Sequence, residues 1–141
     1  MKVTCSGEYG INGLLYVAKR GQGKLAYVRE VSEALHIPES FLSKIFQAFV
    51  RNGILHSHRG AKGGYSLARP AREITLREAL EAAQGPIAIN RCLLGRRRPC
   101  GRHRRCGLHW VLSAAQRSIE ERFNNTTVAH LAQTTQFLRP S

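Results

Sequence analysis

The sequence predicts a mainly α fold with one small β-hairpin, on three observations. Apolar residues recur at helical spacing along most of the chain. Two short helices meet at Pro38 ahead of a glycine-rich stretch, residues 53–70, that can form two strands. A long amphipathic segment begins at Gly107. Helix, turn, helix and hairpin in that order make a winged helix-turn-helix, and the long segment adds a C-terminal dimerisation helix. At 141 residues the chain is long enough for one core and short for two. The expected organisation is a winged helix-turn-helix region over residues 1–84, a cysteine-bearing loop over 85–106, a dimerisation helix region over 107–132 and a flexible tail over 133–141.

In order along the chain, Ile11, Leu14, Leu15 and Ala18 repeat at i, i+3, i+4, i+7, which predicts a helix from about Glu8 to Arg20, broken by GQGK at 21–24. Val28, Val31 and Leu35 predict a second helix over Val28–Leu35, with His36 and Ile37 non-helical ahead of Pro38. A third, Glu39 to Asn52, buries Leu42, Ile45, Phe46 and Phe49. Its other face carries Ser40, Ser43, Lys44, Gln47 and Arg51, with no acid after Glu39. Solvated helix faces usually mix Glu with Lys. Hydroxyls, amides and cations without acids suit the edges of bases, and the turn at Pro38 tips the reading that way.

Leu55–His58 and Gly64–Leu67 are candidate strands around the turn RGAKG, so Arg59 and Lys62 sit at a wing tip that can reach phosphates or a minor groove. GAKGGYS lacks the order of a phosphate-binding loop and no helix starts there, which rules out that site. Thr75 and Glu78 form a capping box that opens a helix running through Ala83, closed by Gly85-Pro86. From Gly107 to Phe123, Leu108, Val111, Leu112, Ala115, Ile119 and Phe123 line one side of a helix. A small winged domain has no room to cover that stripe, which points to a second copy of the same helix. Thr127 to Ala132 can add one more turn.

Twenty-two Lys and Arg against nine acids give a formal charge of +13, which implies a polyanionic partner. All nine acids are Glu. The lack of Asp excludes Asp-based metal loops and triads, and with no nucleophile–base pair the chain is not expected to be an enzyme. No secretory leader or long apolar run is visible, so a cytoplasmic location without membrane contact is expected, where thiols stay reduced.

Cys92, Cys100 and Cys106 stand at C-x7-C-x5-C, and His109 lies three residues past the last. Seven of the fifteen residues from 91 to 105 are Arg. Zinc knuckles use closer pairs, so the wide gaps favour an iron–sulfur cluster, with zinc left open. Nearby cations favour the thiolate that binds metal. Three thiolates and a neutral imidazole around an oxidised two-iron core leave one negative charge, which the arginines can balance. A basic arm that clamps phosphate is the plainer reading, and the two roles are compatible. Cys5 stands apart. His36, His56, His58, His103 and His130 share no spacing and are assigned no chemistry.

MKVTCSGEYGINGLLYVA, VSEALHIPESFLSKIFQAFVRNGIL, RGAKGGYSLARP and ITLREALEAAQGP before a cysteine loop resemble the IscR/NsrR-like (Rrf-type) bacterial transcription regulators, over about residues 1 to 132. The resemblance implies a winged-helix homodimer on a double-stranded DNA operator. Its iron–sulfur cluster would report iron–sulfur status, nitric oxide or redox state; a 2Fe-2S cluster is favoured here, with 4Fe-4S left open. Carried over, Cys92, Cys100, Cys106 and His109 are the ligands, and Glu8 is the alternative fourth, supplied by the other subunit. Ser40, Lys44 and Gln47 lie on the recognition helix and Arg59 on the wing. The first cysteine gap is seven residues rather than five, and Ser43 replaces an acidic residue. A cluster-free or zinc-containing nucleic-acid-binding protein of the same fold, or a basic RNA-associated protein, is the alternative.

Overall fold

The computed structural model describes residues 2–60, 64–95 and 105–136. Among the described residues there are six helices, α1 (Cys5–Arg20), α2 (Val28–Leu35), α3 (Glu39–Arg51), α4 (Leu76–Gln84), α5 (Gly107–Asn124) and α6 (Val128–Thr134), and one hairpin of β1 (Leu55–His58) and β2 (Gly64–Leu67). The fold is the expected one: mostly helical, with two antiparallel strands paired from Leu55–Leu67 to His58–Gly64. Single 3₁₀ turns, which apolar spacing does not reveal, lie at Ala71–Glu73 and Arg91–Leu93.

Helix α1 is the central element. Thr4 caps it, its hydroxyl accepting from Gly7 N–H at 3.1 Å, so the helix starts three residues before the Glu8 expected from apolar periodicity. Gly7, Gly10 and Gly13 are buried on one side. A Cβ at Gly10 would come within 2.7 Å of Ala83 Cβ, and one at Gly13 within 2.8 Å of the Phe46 ring. Each glycine costs about 1 kcal/mol of helix propensity against Ala. Here they let α3 and α4 approach the α1 backbone, and Phe46, Phe49, Leu42, Leu14 and Val17 fill the space with no exposure to speak of.

Between α2 and α3 the chain turns at His36, the one non-glycine described residue at positive φ, 55°. That left-handed step ends α2, and Pro38, with its fixed φ, precedes the first turn of α3. Ser32 hydroxyl donates to Ile37 carbonyl across the same corner. The wing is tied back by a bridge in which Ala26 and Tyr65 exchange backbone hydrogen bonds, both 2.8 Å. A Cβ at residue 64 would sit 2.9 Å from Ala26 carbonyl, so the close approach needs Gly64.

The expected capping box opens α4: Thr75 hydroxyl accepts from Glu78 N–H, and Glu78 carboxylate accepts from Thr75 N–H at 3.0 Å. Arg69 lies 2.9 Å from the same carboxylate. Burial pushes the Glu78 pKa up, but the Thr75 N–H and the Arg69 guanidinium outweigh it and hold it below the usual carboxylate range. A lowered folded pKa contributes stability above the unfolded pKa, about 4.3, and loses it as pH falls through the folded value. Glu78→Gln keeps the cap geometry without the charge. It should lower stability at pH 7 by only a few tenths of a kcal/mol, since the carboxylate is partly exposed. It should also flatten the decline between about pH 5 and pH 3 in denaturant titrations. A variant whose acid limb superimposes on the parent's would show that Glu78 contributes no charge term.

Candidate DNA-binding face and cysteine–histidine site

Helix α3 presents Ser40, Lys44, Gln47 and Arg51 to solvent at i, i+4, i+7 and i+11, while Leu42, Ile45, Phe46 and Phe49 are buried behind them. Ser43 is half-buried. Gln47 side-chain N–H donates to Tyr65 hydroxyl at 3.0 Å, which links α3 to the wing strand β2. Arg59 is exposed at the end of the wing, and Lys62 lies outside the described residues. Sequence reading passed over Phe41. It is half-exposed in the first turn of α3, with the Tyr9 ring edge-on to it at 6.3 Å. Its signal was a large aromatic beside Ser40, off the buried stripe that starts at Leu42.

The cysteine loop enters through polar anchors. Ile87 carbonyl accepts from Gln116 side-chain N–H at 2.7 Å, and Ile89 N–H donates to Gln116 carbonyl oxygen at 2.9 Å. Gln116 is only 6% exposed, a polar residue buried on α5. Glu120 extends the set to Arg77 of α4, 3.5 Å away. Thus α5 is held to the body in good part by hydrogen bonds from one buried side chain to the backbone after α4.

Asn90 side chain accepts from Arg91 N–H at 2.8 Å and caps the turn that carries Cys92. Cys92 Sγ and His109 Nδ1 are 3.4 Å apart, both half-buried. Ser113 Oγ lies 3.4 Å from His109 Nε2, one turn along α5. Cys106 is the N-cap of α5. Among the described residues no three His, Cys or Glu side chains converge as a ligand set, so Cys106 does not join the pair. Cys100 lies outside the described residues. Glu8 is exposed in the first turn of α1, and Cys5 is exposed at its start.

The pair nonetheless fits a shared metal. Bonds of about 2.3 Å to sulfur and 2.0 Å to nitrogen at a tetrahedral angle put the two donors roughly 3.5 Å apart. A thiolate and an imidazole are also the soft and borderline donors that iron–sulfur and zinc sites take.

The stripe of α5 divides lengthwise. Leu112, Ile119 and Phe123 are half-covered, whereas Leu108, Val111 and Ala115 face solvent. No helix among the described residues is long and apolar enough to cross a membrane.

A helix-turn-helix, a hairpin wing and a long helix beyond them define a winged-helix protein. Residues 3–134 match the family model Rrf2, described as an iron-dependent transcriptional regulator, and the chain belongs to that family. It is 32% identical to Protein aau3 of Rhizobium meliloti over 94% of this chain and 86% of that one. It is 30% identical to the HTH-type transcriptional regulator IscR of Serratia proteamaculans over 93% and 79%. The solved structure of T. potens IscR superposes with a TM-score of 0.75 at 22% identity, covering 96% of this chain and 89% of that one.

Proposed function

We propose that this protein is a cytoplasmic, homodimeric transcription repressor or activator that binds a double-stranded operator, with affinity set by an iron–sulfur cluster on Cys92, Cys100, Cys106 and His109. The observation that carries the reading is the approach of Cys92 and His109 to 3.4 Å in a chain of charge +13 with a winged helix. A 2Fe-2S cluster, when bound, supplies a centre whose charge and integrity answer to redox state, nitric oxide or iron supply.

The chain's own residues supply the coupling. Cys92 belongs to the loop and His109 to α5, so a group held by both fastens the loop to the helix with the uncovered apolar edge. Gln116 ties the same helix to the residues just after α4. Helix α4 packs against α1 and α3. A change at the cysteine–histidine pair can therefore alter how two recognition helices are spaced across a dimer.

Ser40, Ser43, Lys44, Gln47 and Arg51 would face a major groove, and Arg59 and Lys62 the backbone or minor groove. Selection from randomised duplexes, with cluster-loaded and cluster-free protein, tests this. Lys44→Ala should relax base preference by about 1–3 kcal/mol at one position of each half-site. Arg59→Ala should weaken binding most where the minor groove is narrow and A/T-rich. Failure to enrich any sequence in either state would leave a basic RNA-associated protein as the better reading, and a colourless, zinc-loaded protein would replace the cluster.

A further inference from the structure

Gln47 is exposed on the recognition face, yet its amide is not left to swivel. Its N–H donates at 3.0 Å to the hydroxyl of Tyr65, a residue only 8% exposed. Tyr65 is itself held from several sides. Phe46 stands edge-on to its ring at 5.0 Å and 72°, Ser57 pairs with it across the hairpin, and Ala26 bonds its backbone in both directions. The hydroxyl is thus a fixed point of the core that surfaces beside α3.

We propose that Tyr65 is a positioning residue for base readout: its hydroxyl holds the Gln47 amide so that the remaining N–H and the carbonyl oxygen address an adenine. This rests on the DNA-binding reading above and deepens it. A glutamine amide has two N–H donors and one acceptor oxygen. With one N–H given to Tyr65, one donor and one acceptor remain side by side. That pair matches adenine in the major groove, whose N7 accepts and whose N6 amino group donates. Guanine presents two acceptors, O6 and N7, so the Gln47 oxygen would face another oxygen.

Holding the amide beforehand also removes rotamer freedom that a free glutamine would lose on meeting the base. The same bond joins the recognition helix to the wing, so the two surfaces that straddle the DNA keep one relative setting.

Tyr65→Phe tests this, because it removes the hydroxyl and leaves the ring on Phe46. Full-length protein, Gln47→Ala, Tyr65→Phe and the double variant would each be run through duplex selection, then titrated against the selected site with single-base changes. Thermal melting and binding to non-specific duplex would be measured in parallel. The parent should favour adenine at one position per half-site. Gln47→Ala should lose about tenfold of that preference, in the range expected for a bidentate base contact. Tyr65→Phe should lose at least about threefold at the same position only, with melting and non-specific affinity close to the parent's. The double variant should lose no more than Gln47→Ala, since the two side chains act as one unit.

Tyr65→Phe with the parent's full preference would overturn the proposal and leave Gln47 reading unaided. So would Gln47→Ala with an unaltered profile, which would make the amide a strut, or a uniform loss of affinity in Tyr65→Phe without a change at that base. A parent that selects no sequence at all would instead bring down the DNA-binding reading, and the proposal with it.

Discussion

Cys92→Ala is expected to emerge from anaerobic purification without visible absorption and with iron and sulfide near background, while Cys5→Ala keeps both. Cys92 is the described cysteine that already stands beside a second donor, 3.4 Å from His109 Nδ1. Changing groups merely outside a metal's ligands costs 10–100-fold in affinity, so losing a ligand should cost at least about 100-fold. The fourth position is the sharper question. His109 is delivered by the first turn of α5, one turn from Cys106, whereas Glu8 is exposed on α1 and would need a partner subunit to bring it in. Oxygen is also the harder donor, less suited to this chemistry than imidazole. His109→Cys should therefore retain a cluster at a lower reduction potential, since histidine ligation raises it. Glu8→Ala should change it little. A Glu8→Ala protein that bleaches, beside a His109→Ala protein that does not, would move the fourth ligand to the partner.

The elements were most legible where punctuation is covalent. Helix α2 and both strands have the residue limits expected, because Pro38, Gly60 and Gly64 punctuate the chain beside their ends. Helix α1 was harder. Its stripe includes Gly7, Gly10 and Gly13, which an apolar count does not register although they are buried. Buried polar residues were invisible for the opposite reason. Gln116 reads as a surface residue of an amphipathic helix, and only its hydrogen bonds to Ile87 carbonyl and Ile89 N–H explain its burial. The same limit hid the Gln47–Tyr65 bond, which joins residues eighteen apart across a helix, a turn and a hairpin. The donor types in the cysteine loop were plain from the sequence. Which donors meet was not, because the spacing of Cys92, Cys106 and His109 does not say that the first pairs with the last.

Val111→Glu should convert the protein to a monomer without unfolding it. Val111 and Leu108 are 66% and 62% exposed on the outer edge of α5, so within one subunit the substitution removes no core contact and melting should hardly move. In a two-fold dimer through this helix each residue meets the same surface of its partner, and one substitution places two carboxylates in the interface. Each unpaired charge taken from water costs several kcal/mol. Dimerisation should weaken by about three orders of magnitude or more. The effect on DNA follows from geometry rather than from any change to α3. A dimer presents its second recognition helix at high effective concentration, a gain of 10²–10⁴ that a monomer forfeits. Operator affinity should thus fall at least about 100-fold, while binding to a single half-site stays near the parent's value. Trp110 is equally exposed, at 63%, but it projects from the other side of α5, and Trp110→Glu should leave assembly intact. Sedimentation velocity on the three proteins decides the matter. A Val111→Glu chain that still sediments as a dimer would place the interface elsewhere and leave the open edge of α5 for a different partner.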